Sequence, residues 1–195
     1  QIGAKNDALY NIIVRPRLKW FELELQSQKQ APDAIHQFYA SNHFTWANRF
    51  SNKRHDRAKL SFEYKRKKLL IHPFIGVDRL DDFIYYDSSA IVRQYNDAFL
   101  TYHVGFRYKT NWKSLHFLGY VNYYKSQSDV MRVPDLFVYQ QIYIEGRFKN
   151  SLFFQLGADL YYRSKYQAYE FNPAMQQFHL QGEESSKKYV VVDAF

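Results

Sequence analysis

Long stretches of this chain alternate apolar and polar residues with a period of two, and that periodicity confines them to strands. Leu152, Phe154, Leu156, Ala158, Leu160 and Tyr162 alternate with Phe153, Gln155, Gly157, Asp159, Tyr161 and Arg163. The segments 21–26, 59–65, 98–108 and 139–148 separate in the same way. A helical stripe would repeat at three and four residues, and these segments do not. The pattern predicts about eleven strands, near 8–14, 18–27, 43–50, 58–66, 68–77, 82–87, 97–108, 114–125, 137–148, 152–164 and 187–195. Globular strands typically run about five or six residues, whereas a tilted strand crossing a bilayer needs roughly nine to eleven, and the best-defined segments here have the greater length.

The connections carry a second signal. Residues 15–17, 109–113 and 149–151 form tight polar turns, whereas 27–42, 88–96, 126–136 and 165–186 are long. One rim of a barrel carries turns and the other carries loops, so short and long connections must alternate. The 66–67 turn breaks this order, being short where a loop is expected. A soluble β-sandwich would also alternate, but with shorter strands and a uniformly polar outward face. Here the second face mixes Arg, Glu, Asp and His with Tyr, Gln and Gly, as a wet lumen would.

Composition agrees. The 18 Tyr, 17 Phe and 3 Trp make 19% aromatic residues, about twice the usual share. Aromatics suit pleated surfaces and gather at membrane interfaces. No apolar run approaches the roughly 18 residues of a transmembrane helix, which excludes a helical membrane protein and leaves barrels open. The absence of cysteine rules out a disulfide framework and a thiolate metal site. No secretory signal is expected before Gln1, because the stretch from Ile2 to Leu9 is short and interrupted by Lys5 and Asp7. The chain is thus expected to be mature or to lack its N-terminus.

Candidate chemistry is sparse. Histidines at 36, 43, 55, 72, 103, 116 and 179 show no zinc-ligand spacing. The pairs Asp81–Asp82 and Glu183–Glu184 fall in expected turns or loops, where solvation is their ordinary role. Ser185, Ser186 and His179 share one long loop without a framing nucleophile motif. The net charge of +8 raises nucleic acid as a partner. However, the clusters Arg15–Arg17–Lys19, Lys53–Arg54–His55–Arg57 and Lys65 to Lys68 bracket strands, where they reach lipid headgroups or face a pore, so nucleic acid is not expected.

Several short strings bear a resemblance. Tyr161, Tyr162, Lys165, Tyr166 and Tyr169, then Phe171-Asn172-Pro173, Phe178-His179-Leu180-Gln181 and Val190 to Phe195, resemble the C-terminal part of the Bacteroidota-type putative porin family. Ser41-Asn42-His43-Phe44 with Trp46 and Asn48 is similar to an upstream motif of that family. The resemblance implies an outer-membrane barrel of larger total size, continuing beyond the last string. It transfers no functional residue, since the family carries no assigned active site. An odd strand count agrees with a truncated chain, because bacterial single-chain barrels have an even number. Phe195 has the alternative reading of a terminal aromatic signal, but 190–195 lacks clean alternation to its end.

These observations lead to one expectation: an all-β, antiparallel transmembrane β-barrel segment over 1–195, a fragment of a larger barrel truncated at both ends, in the bacterial outer membrane. It would be a non-enzymatic porin without cofactor, passing small solutes or ions. Lys59, Glu63, His103, Arg107, Tyr143, Glu145, Arg147, Asp159 and Arg163 are the expected pore-lining residues. Its partners would be outer-membrane lipid and other outer-membrane proteins. The alternative is a plugged accessory barrel within a larger assembly, motivated by the long 27–42 and 165–186 loops.

Overall fold

The computed structural model describes residues 8–149 and 152–195, without the side chains of Phe148, Glu183 and Glu184. The end of the expected 149–151 turn, most of the stretch from Ile2 to Leu9 and the expected Glu183–Glu184 pair lie outside the described residues. Among the described residues seventeen strands and one helical turn follow one another. The first are β1 (Tyr10–Val14), β2 (Arg17–Leu18), β3 (Phe21–Gln30), α1 (Ala34–Gln37), β4 (Phe38–Ala40) and β5 (Thr45–Ala47). Then come β6 (Lys53–Phe62), β7 (Tyr64–Arg66), β8 (Leu69–Asp81), β9 (Phe83–Tyr86), β10 (Val92–Tyr95) and β11 (Phe99–Trp112). The last are β12 (Leu115–Ser126), β13 (Leu136–Phe148), β14 (Leu152–Arg163), β15 (Tyr166–Asn172), β16 (Gln177–Ser186) and β17 (Tyr189–Ala194).

One antiparallel sheet forms a wall in the order β1-β3-β6-β8-β11-β12-β13-β14-β17. Short β2 pairs with β3 below β1, and β7 pairs with β8 below β6. The gap between β6 and β7 falls opposite Pro73, which has no N–H to give to a ladder. Five wall strands run 12 to 14 residues. Among the described residues β1 and β17 are the two edges of the wall.

Two expected barrel strands are not part of the wall. In the stretch 43–50, β5 pairs with β4, and in the stretch 82–87, β9 pairs with β10. In 43–50 the alternating Phe44, Trp46 and Phe50, and in 82–87 Ile84 and Tyr86, pack in or against a small core outside the wall, so neither stretch lines it. Removing them leaves nine wall columns instead of about eleven. It also restores the alternation of connections that the 66–67 turn had seemed to break. Short turns now lie at 15–20, 67–68 and 113–114, a turn opens at Lys149 between β13 and β14, and long loops lie at 31–52, 82–98, 127–135 and 164–188. The last loop holds the β15–β16 hairpin, so the stretch 165–186, expected as loop, is mostly strand.

The cross-strand register sorts the wall into two faces, since directly opposed residues point the same way. Leu60 opposes Ile75, Ile75 opposes Val104, Val104 opposes Tyr123 and Ile142 opposes Ala158 on one face. This apolar face is the exposed one: Leu60 is 45% exposed, Ile75 59% and Leu156 65%. On the polar face Ser61 is 6% exposed, Asp78 7% and His103 7%. Such burial is inverted relative to a soluble sheet and fits a wall with lipid outside. Charges on the apolar face occur only near its ends, with Arg66 toward the turns and Lys29, Arg54, Asp56, Arg79, Asp81 and Lys125 toward the loops. Between Trp112 and Tyr102 the uncharged run rises about 26 Å at about 3.4 Å per residue and a tilt of about 40°, close to a bilayer's hydrocarbon thickness.

The only apolar cluster of buried residues among those described lies in the loops, where Trp46, Tyr86, Ala90, Val92 and Met175 come together from 31–52, 82–98 and 164–188. Trp46 Nε1 donates to the Ile35 carbonyl at 2.8 Å. Gln94 and Ser51 exchange two hydrogen bonds of 2.9 Å between the first two loops. Arg132 of the third loop donates to the Gln181 carbonyl at 2.7 Å, and the Tyr169 hydroxyl donates to the Val130 carbonyl at 2.7 Å. All four long loops are thereby joined into one packed unit.

Two predictions follow from these faces. Val104→Lys puts a charge in the apolar band and should cost about 2–4 kcal/mol, whereas Gln141→Lys on the polar face should cost under about 0.5 kcal/mol; reversible urea unfolding of the protein in vesicles measures both. The second concerns Asp87. Burial raises its carboxyl pKa, but Arg93 Nε at 3.0 Å and the N–H groups of Ser89 and Ile91 at 2.9 and 3.0 Å outweigh that and hold it below the usual range. A lowered folded pKa stabilises above the unfolded value of about 4 and is lost as pH falls through the folded one. Hydrogen exchange in 82–98, corrected for intrinsic rates, should quicken below about pH 4 and stay flat above it.

Candidate lumen face

The polar face of the wall gathers every residue expected to line a pore. Lys59 stands opposite Gly76, which opposes His103, which opposes Tyr124. Arg107 lies between His72 and Tyr120. Tyr143 opposes His116 and Gly157, Glu145 opposes Gln155, Arg147 opposes Phe153, Asp159 opposes Gln141, and Arg163 opposes Phe137. Glu63 shares this face, its Oε1 3.4 Å from Arg17 Nη2. The nine do not converge on one point; they spread from the turn rim to the loop rim on four columns of the wall, those of β6, β11, β13 and β14.

Asp78 is the hub of this face. Its Oδ1 accepts from Arg57 Nε at 2.6 Å and His55 Nε2 at 2.7 Å, both on β6, and its Oδ2 lies 3.2 Å from His103 Nδ1 on β11. One carboxylate therefore ties three neighbouring strands together from the polar side. Gly76 makes this possible, since a Cβ there would overlap the His103 imidazole that crosses it. Alternation already set His55 and Arg57 in phase with Lys59, but the expected strand began at 58 and its neighbour ended at 77. The cut ends left out His55, Arg57 and Asp78, three of the four residues that form the hub, whereas His103 lay within its expected strand.

Three further groupings line the face. Near the turn rim the His116 and Tyr143 rings stack at 4.6 Å and 4°, with His116 Nε2 2.9 Å from Glu145 Oε1. Midway, the Tyr139 hydroxyl donates to Asp159 Oδ1 at 3.1 Å. At the loop rim Arg163 Nη2 donates to Ser186 Oγ at 3.1 Å, and its guanidinium lies over Tyr166 and Tyr189 at 5.0 and 5.6 Å. Cations and carboxylates interleave along the face, so it carries both signs of charge. Ser185 and Ser186 do not meet His179. Ser185 Oγ donates to the Tyr166 carbonyl, Ser186 accepts from Arg163, and His179 Nε2 lies 4.0 Å from Glu170.

Removing the hub should be felt across β6, β8 and β11. Asp78→Ala should destabilise the barrel by about 1–3 kcal/mol, because partly buried His55, Arg57 and His103 lose their shared acceptor. Cutting Asp159→Ala, which serves one hydroxyl, should cost about 1 kcal/mol or less. Heat-modifiable gel migration against temperature would rank the two, and equal midpoints would deny Asp78 this role.

Comparison with known proteins agrees with this architecture. No curated protein matches the chain. Among solved structures, the FrpB iron transporter from Neisseria meningitidis is similar with a TM-score of 0.59 at 13% sequence identity. The match covers 95% of this chain and 30% of that one, so the chain spans less than a third of the transporter's length. This likeness shows a shared outer-membrane barrel fold. The family described as "Putative porin" matches residues 3–195, nearly the whole chain. With its wall, its lipid-facing band and its polar inner face, this chain belongs to that outer-membrane porin family.

Proposed function

We propose that this wall lines a water-filled pore through which small solutes or ions pass passively, without a chemical step or a cofactor. The single observation that supports this is the partition of the wall: hydrated charges of both signs on one face and a charge-free band on the other. Lys59, Glu63, His103, Arg107, Tyr143, Glu145, Arg147, Asp159 and Arg163 set the field in that passage. Because positive and negative groups alternate along it, discrimination between anions and cations is weak. Among the described residues the edges at β1 and β17 need partner strands within the bilayer, since an unpaired edge in lipid leaves backbone groups without partners. Lipid is the standing partner of the outer face, and other outer-membrane proteins are candidates for the loop rim.

A second reading is favoured by the joined loops. A packed loop unit with its own aromatic core can narrow or close the mouth, as in a plugged accessory barrel held in a larger assembly. Planar-bilayer recording on the full-length protein separates the two. Stable unitary steps support the open pore, and a folded, silent protein that co-purifies with stoichiometric partners supports the second reading. In the conducting protein, Arg107→Glu with Arg147→Glu should move the reversal potential under a salt gradient toward cation preference. An unchanged potential would remove these two residues from the conduction path.

A further inference from the structure

The four short turns share an unusual backbone. Lys19, Lys67, Lys113 and Lys149, one in each turn, all have positive φ, at 50°, 49°, 54° and 48°. No described glycine has positive φ. A non-glycine residue in this left-handed region pays about 1–2 kcal/mol, and glycine or asparagine would avoid much of that cost. Lysine is thus the conformationally poorer choice at four positions out of four. The four turns contain no Asp or Glu, whereas the long loops hold Asp33, Asp87, Asp97 and Asp129 among others. Cationic charge at this rim is the property that lysine supplies and asparagine does not.

The surroundings indicate what that charge meets. Lys19 Nζ lies 4.0 Å from the Trp20 ring centroid and Lys113 Nζ 5.6 Å from that of Trp112, and both indoles are exposed, at 52% and 70%. Exposed indoles beside an apolar band mark the headgroup level of a bilayer. Between the first two turns the band contains an open apolar hollow of about 620 Å³, floored by Pro73 and walled by Phe21, Leu60, Ile75 and Phe106. Phe21 begins two residues after Lys19, and Arg66, Lys67 and Lys68 lie just beyond Ile71 at the hollow's lower edge. Cations at the rim with an apolar bed directly above them complement a lipid that has an anionic head and an acyl chain.

We propose that the turn rim is a binding site for anionic glycerophospholipid of the adjoining leaflet, its phosphate held by the turn lysines and one chain lying in the hollow beside Trp20. This rests on the outer-membrane assignment and is independent of whether the lumen conducts.

Quenching of tryptophan by brominated lipid tests it. The full-length protein is placed in phosphatidylcholine vesicles in which a fixed minor fraction of lipid is dibrominated phosphatidylglycerol or dibrominated phosphatidylcholine. The wild type should be quenched more by the glycerol headgroup, with a local enrichment of roughly five-fold for each lysine engaged, lost at high salt. Lys19→Asn, Lys67→Asn and Lys113→Asn together keep the turns, because asparagine accepts positive φ. This triple variant should migrate as a folded barrel with equal or higher heat stability and lose the excess. Trp112→Phe should keep most of the excess, since Trp20 directly precedes Phe21 of the hollow's wall. Equal quenching by the two headgroups in the wild type, or an excess that survives in the folded triple variant, would overturn the proposal. An excess carried by Trp112 alone would overturn the placement at the hollow.

Discussion

Backbone hydrogen bonding in a medium without water is the constraint on which the rest of this structure depends. Within lipid each N–H and C=O must find a partner in the protein, and an antiparallel ladder supplies both on either side of every interior strand. The wall obeys this from β3 through β14, and its one internal interruption sits opposite Pro73, the residue that has no donor to offer. Side chains are then free to serve the two solvents. The outer face needs only to be apolar, while the inner face needs only to be wettable, so no buried core forms in the wall. Packing of the ordinary kind appears only where the chain leaves the membrane and loops must hold themselves together.

Much of this was legible in the sequence because period two is a property of single strands. Each of the nine expected lumen residues falls on the polar face, since local alternation alone decides which side a residue points to. What alternation cannot do is tell a wall strand from a loop strand. Phe44, Trp46 and Phe50 fall on one side of their segment because they face a loop core, and that signal has the same form as a lipid-facing stripe. The order of connections held the missing information. A single misplaced short turn at 66–67 registered that one strand too many had been counted before it.

The inner face shows the complementary limit. Strand ends are where a local reading is least exact, and His55, Arg57 and Asp78 lie just beyond the ends expected at 58 and 77 although they fall inside β6 and β8. Their joint role arises from register across β6, β8 and β11, with a glycine clearing the way for the imidazole. No local pattern encodes a three-strand meeting. It emerges only once the ladders fix who stands opposite whom, which is why a single carboxylate can brace a region that the sequence presents as unrelated polar residues.

The loop core also has a bearing on the order in which the molecule assembles. Trp46 and Met175 belong to one cluster although most of the chain separates them, and the residues between them build six wall strands in full. Neighbouring hairpins close short loops, whereas this cluster has to wait until distant segments are brought to the same rim, and contacts of such sequence separation form slowly. Its completion is therefore a late step, coming after the intervening hairpins have entered the bilayer and lined up. A partly inserted chain would expose these aromatics on the loop side of the membrane, giving quality control a surface by which to tell an unfinished barrel from a finished one.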